Sequence, residues 1–155
     1  ECKKLGVRKK DKFVCLNVRD ASYRKYISPY QNFDYHDFRD SDVNTYSLAA
    51  TELAERGYWV FRMGKKVLKP FDCTHPKVID YAYSEKKSDL FDIWLMAHCS
   101  FCISTSSGLD SVSGTYRRPL VLVNLLPAGD MSSYKHCISC FKHLRWKKEN
   151  RRVHK

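Results

Sequence analysis

The run Ser104-Thr105-Ser106-Ser107-Gly108 is the most chemically pointed stretch of this chain. It follows the apolar Phe101-Cys102-Ile103 and precedes a short helical pattern. Hydroxyls and unpaired backbone N–H groups would therefore collect where a strand ends and a helix begins, with the helix dipole favouring negative charge. A phosphate or diphosphate fits such a place; an ordinary Ser/Thr helix cap is the alternative that the residues leave open. Gly108 would allow close backbone approach to a ligand. Arg19 leaves an earlier apolar run at a comparable point. Its guanidinium could make paired bonds to phosphate oxygens, or an ion pair with Asp20 or another loop carboxylate. Arg62, at the end of a third run, has the same two readings. Asp20, Ser104 and Thr105 complete this candidate rim. No G-x-G-x-x-G follows the first run and no Walker A lysine loop occurs, so NAD-type and P-loop sites are poorly supported.

The connection 21–41 holds Tyr23, Tyr26, Tyr30, Phe33, Tyr35 and Phe38, and it ends His36-Asp37-Phe38-Arg39-Asp40. Aromatic rings on a long loop can stack on a base or sugar, or fix the loop to the body. His36 and Asp37 offer a general base, because a neighbouring carboxylate raises an imidazole's basicity; helix entry and loop packing are the alternative. Asp40-Ser41-Asp42 has the spacing of an Asp-x-Asp metal motif, but helix capping explains it better, and no divalent ion is expected to be required. Seven cysteines leave at least one unpaired within the chain. Cys15 and Cys102 lie in apolar runs and read as small buried hydrophobes. Cys99/Cys102 and Cys137/Cys140 could together form a four-thiolate zinc site, but their long separation favours reduced packing thiols.

The elements that must position these residues are legible as alternation. Apolar runs at 13–18, 58–63, 78–82, 101–104 and 120–124 read as strands. Between them, Asp42 caps a helix carrying Val43, Tyr46, Ala50 and Leu53, and Gly57 stops it. Ser88 and Asp89 open a second helix whose buried face is Leu90, Phe91, Trp94 and Leu95. A short third helix runs from about Leu109 to Tyr116, ended by Pro119. Strands and helices alternating at this pace define an α/β fold, a Rossmann-like parallel sheet of about five strands with flanking helices. Ligands then bind beyond the carboxyl ends of the strands.

The 155 residues suffice for one domain with a core, and no apolar stretch is long enough to span a bilayer. The chain begins Glu1-Cys2 without an apolar leader, so it reads as a cytoplasmic protein and as a fragment, or a chain lacking its beginning. Its net charge of +11 is confined to the ends: +4 over residues 1–12, +7 over 135–155 and zero over 13–134. The reading is accordingly a basic N-terminal segment (1–12), a Rossmann-like domain (13–134) and a basic, partly helical C-terminal segment (135–155). Basic ends solubilise a chain, and they also attract polyanions such as RNA.

Several ordered blocks resemble a family of bacterial glycosyltransferases from surface-polysaccharide gene clusters. They are Phe13-Val14-Cys15-Leu16-Asn17-Val18-Arg19-Asp20, Tyr35-His36-Asp37-Phe38-Arg39-Asp40-Ser41-Asp42, Arg56 to Gly64, Phe101 to Gly108, Arg117 through Pro127, and the basic end around Trp146. The resemblance implies the C-terminal half of a GT-B architecture, similar to fucosyltransferases and heptosyltransferases. It implies a nucleotide-sugar donor as substrate, a glycan acceptor, Arg19 on the donor diphosphate, and Ser106, Ser107 and Gly108 lining the donor site. It also implies a missing N-terminal domain that would help form the acceptor cleft. Relatives commonly carry His where this chain has Asn17, and an amide cannot exchange protons in its place. The expected activity is inverting, metal-independent sugar transfer, with an isolated fragment turning over little. The alternative is a non-catalytic descendant that docks to RNA or a large assembly through its basic ends.

Overall fold

Strand formation follows burial. Phe13, Val14, Cys15, Leu16 and Asn17 are all buried, and this five-residue run becomes the central strand β1 (Phe13–Asn17). A strand covered on both faces needs a continuous apolar run rather than alternation. The computed structural model describes residues 5–146 and 148–152; residues 1–4, 147 and 153–155, which belong to the two basic ends, lie outside the described residues. In chain order the remaining elements are α1 (Ser22–Ile27), a 3-10 segment (Asp34–Arg39), a 3-10 turn (Val43–Tyr46) leading into α2 (Ser47–Glu55), β2 (Trp59–Arg62), β3 (Val78–Ile79), α3 (Asp89–His98), β4 (Phe101–Ser104), α4 (Asp110–Thr115), β5 (Leu120–Leu125) and β6 (Cys137–Phe141).

All strand pairs are parallel, in the order β3-β2-β1-β4-β5-β6. The chain winds outward from β1 in one direction and from β4 in the other, so β1 and β4 flank the point where the order reverses. In doubly wound sheets the ligand crevice opens beyond the strand ends at that point. The register places Asn17 directly opposite Ser104 there. On one face of the sheet Phe61, Tyr81, Phe91, Leu95, Met96 and Cys99 pack together; on the other Val43, Tyr46 and Ala50 cover Leu16 and Val60. Burying each large side chain in this way is worth about 1.5–3 kcal/mol, which holds the strand ends in place.

The caps form as the residue types dictate. The Asp42 side chain accepts from the Asn44 amide, that of Ser88 accepts from the Phe91 amide, and Gly57 takes a φ of +96° just past α2. Three expectations need correction. The sheet has six strands, not five, because Cys137–Phe141 pairs with β5 inside the segment expected to be a partly helical tail. The sheet therefore runs past residue 134. The strand expected over 78–82 stops at Ile79, because Asp80 turns inward to an arginine and Tyr81–Tyr83 form a 3-10 turn. In α3, Leu90 is 80% exposed and Asp92 is buried in its stead. The two Cys-x-x-Cys pairs do not converge: Cys99 and Cys102 are core residues, Cys140 is exposed, and no metal-sized group of three or more His, Cys, Asp or Glu occurs among the described residues.

Candidate functional site

A cleft of about 1130 Å³ opens at the carboxyl ends of β1, β2 and β4. Its floor is a network joining three elements. The Asn17 side-chain amide donates to the hydroxyls of Ser107 at 2.7 Å and Ser104 at 3.4 Å. The Ser104 hydroxyl donates to the carboxylate of Asp110, which also accepts the Ser107 backbone N–H at 2.8 Å. Burial pushes the Asp110 carboxyl above its ordinary pKa, against the two hydrogen bonds that favour its charge. The plain hydroxyl cap is not formed, since α4 begins without any side-chain cap and Asp110 reaches back to the loop instead. Helix α4 is only six residues long, so loop groups rather than a long dipole face the cleft. Within that loop the backbone N–H groups of Ser106 and Gly108 have no acceptor among the described residues. A side-chain carbon built on Gly108 would meet nothing within 4 Å.

Ser106 adopts a φ of +64°, in the left-handed region that a non-glycine residue occupies at a cost of about 1–2 kcal/mol. Replacing it by glycine is expected to raise stability by about 1 kcal/mol. That would appear as a rise of about 2–4 °C in the melting midpoint for a chain of this size. An unchanged or lower midpoint would show that the Ser106 side chain contributes something beyond its backbone angle.

Arg19 stands on the same lip as the serine run. Its backbone N–H donates to the Thr105 hydroxyl at 2.8 Å, which ties the β1 exit to the β4 exit. Its guanidinium donates to the His36 carbonyl at 3.3 Å and lies 3.1 Å from Asp40 Oδ1, in contact but without hydrogen-bond alignment. Burial penalises both charges: it lowers the Arg19 pKa, against the pull of Asp40, and raises that of Asp40, against the pull of Arg19. Asp20 is spent on backbone, accepting from the Ser22 and Leu68 amides at 2.8 and 2.9 Å, so it shapes the lip from behind.

Two expected site groups fall elsewhere. Arg62 is fully buried; it donates to Asp80 at 3.0 Å and to the Lys69 carbonyl at 3.3 Å, while Asp80 also accepts the Phe71 amide at 2.8 Å. Its ion-pair reading is the one realised, and it braces the end of β2 instead of meeting a ligand. His36 and Asp37 sit on the 3-10 segment, outside the cleft lining. The His36 pKa moves down rather than up, through lost hydration and then the positive fields of Arg24, Arg19 and Arg39, so Asp37 does not make it a stronger base.

The cleft also contains residues that the motifs did not single out. Arg39 lines it beside Asp130, with Nη2 donating to the Asp130 carboxylate at 3.0 Å while its buried Nε has no acceptor. Lys142, just past β6, donates to the carbonyls of Phe38 and Asp40 at 2.9 Å each and clamps the segment that carries Arg39. At the far end Asp92 is buried with Oδ1 unpartnered, and burial raises its pKa against Lys87 and a hydrogen bond from Tyr81. The Lys87 ammonium is itself spent on the carbonyls of Gly64, Lys65 and Ala82. The recurrence of Arg and Asp in Asp37-Phe38-Arg39-Asp40 was the one signal that could have drawn attention to Arg39.

No family model matches the sequence, and no curated protein matches it. Solved structures do match, and what they share with this chain is the fold, a Rossmann-like α/β domain also present in heptosyltransferase structures. The ADP-heptose LPS heptosyltransferase II of E. coli superposes with a TM-score of 0.61 at 15% identity, over 92% of this chain and 41% of that one. The dodecameric iron-containing heptosyltransferase TibC, solved with ADP-D-β-D-heptose, gives a TM-score of 0.50 at 18% identity, over 84% of this chain and 32% of its own. The chain thus spans less than half the length of either structure. Among the described residues no helix is long and apolar enough to cross a membrane.

Proposed function

We propose that the cleft holds the diphosphate of a nucleotide-sugar donor, and that the chain is the donor-binding, C-terminal half of a glycosyltransferase passing the sugar to a glycan acceptor. The observation that carries this reading is the shared lip: Arg19 and the serine run are joined through Thr105 at the switch point of the sheet, and Ser106 and Gly108, whose amides have no acceptor among the described residues, line the cleft. Charge develops on the leaving diphosphate as the bond between the sugar's anomeric carbon and the phosphate oxygen breaks, while the acceptor hydroxyl forms the new glycosidic bond and loses its proton. A fixed guanidinium and fixed amides stabilise that charge without reorganising, the role a divalent ion fills in other transferases. Neither His36 nor Asp37 lines the cleft, so this reading gives neither of them the role of activating the acceptor.

A thermal-shift screen against GDP-, UDP-, ADP- and CMP-sugars tests the reading. A ligand at a hundredfold excess over its dissociation constant stabilises by about 2.7 kcal/mol. Gly108→Val is the matched control: its Cβ meets nothing within 4 Å in the fold, so the unliganded melt is expected to hold, while the nucleotide shift disappears because the added side chain stands where the phosphate would approach the backbone. A panel without any shift, or a valine variant that keeps it, overturns the reading.

A further inference from the structure

We propose that Arg39 is a second guanidinium for the donor diphosphate, and that Asp130 is a built-in competitor which the incoming phosphate displaces. This rests on the diphosphate reading of the cleft. Both Arg39 and Asp130 line that cleft alongside Ser106, Ser107 and Gly108. They come from segments 91 residues apart and meet through one 3.0 Å contact from Nη2. The rest of the Arg39 fork is uncommitted, because Nε is buried and has no acceptor. Leaving a buried donor of a charged group unpaired is unfavourable by an amount comparable to a lost charge-assisted hydrogen bond. Asp130 meets Nη2 alone and leaves Nε unmet, whereas a phosphate seated on this side of the fork would meet both Nε and an Nη in the paired geometry guanidinium favours. The Asp130 carboxylate is 39% exposed, so releasing it to water costs little, whereas Arg39 at 17% exposure stays in place under the Lys142 clamp. Arg19 shows the same pattern, facing Asp40 without alignment. Two arginines that line the cleft are thus each faced by an aspartate, of which Asp130 also lines it.

The exchange makes a prediction with opposite signs for the two partners. Titration calorimetry with inorganic pyrophosphate, and separately with GDP, ADP and UDP, would be run on the wild-type chain, Arg39→Ala, Asp130→Ala and the double variant. Arg39→Ala is expected to weaken pyrophosphate binding about tenfold, and Asp130→Ala to tighten it about threefold or more. In the Arg39→Ala background the Asp130→Ala change is expected to have no effect, which is the coupling that a double-mutant cycle isolates. Arg39→Gln, which keeps the aliphatic stem, replaces the alanine variant should that melt early. If Arg39 and Asp130 only pin two loops together, both single variants weaken binding; that result, or no change in either, overturns the exchange while leaving the diphosphate reading intact. If neither pyrophosphate nor any nucleotide binds the wild-type chain, the diphosphate reading and the exchange both fail.

Discussion

Arg62→Ala is expected to destabilise the chain by about 3–5 kcal/mol, enough to leave much of it unfolded at room temperature. The guanidinium is fully buried and bonded to Asp80 and to the Lys69 carbonyl, and Asp80 holds the Phe71 amide in turn. Removing the arginine strands a carboxylate, frees a carbonyl and empties a large side-chain volume beneath the end of β2. Urea unfolding followed by tryptophan fluorescence measures the loss. The neutral pair Arg62→Met with Asp80→Asn is expected to recover most of it, because the asparagine oxygen still accepts from Phe71 and no charge remains buried. A fall of under 1 kcal/mol in the single variant would mean that the bridge is not what braces this strand.

The second large effect concerns ligand affinity. Arg19→Ala is expected to weaken nucleotide diphosphate binding 10- to 100-fold, the loss of a charge-assisted contact worth about 1.5–3 kcal/mol. The same change leaves Asp40 half-buried without its counter-charge. Its carboxyl already titrates above the ordinary value because of burial, and losing the arginine moves it further up. In the pH window between its unfolded and folded pKa values the folded state then holds more protons than the unfolded state, so stability falls as pH rises through that window. The variant should be better folded in mild acid than at neutrality. Adding Asp40→Asn removes the pH-dependent loss but not the binding defect, and the two readouts thereby separate. Unchanged nucleotide affinity in Arg19→Ala would exclude the guanidinium from the site.

The parts of the fold encoded in local runs were legible: β1, β2, β4 and β5, the Asp42 and Ser88 caps, and the stop at Gly57. What escaped depends on partners distant in sequence. β3 ends early because Asp80 answers a charge 18 residues away. Leu90 was expected inside on periodicity, yet α3 turns Asp92 inward, where Tyr81 and Lys87 meet its carboxylate. β6 lies in the basic end of the chain, and its pairing with β5 has no signature in five residues. The serine run and Arg19 were visible because strand ends and helix starts are local features. Arg39 was not, since its significance requires Asp130 to arrive from 91 residues further along the chain.

The serine loop is already held by Asn17, Ser104 and Asp110. A group landing on its amides has little backbone freedom left to quench there, so the entropic penalty of association is small at that point. The aromatic segment beside it is the opposite case: Tyr23, Tyr26 and Tyr30 stand largely in solvent, and ordering them around a nucleoside would lose side-chain freedom. Phosphate capture would thus be rigid and fast, and grip on the remainder of the donor slower and more adaptable. On the diphosphate reading, that division would leave the anion socket indifferent to the nucleoside, and Tyr23, which lines the cleft, would be the ring placed to tell one nucleoside from another.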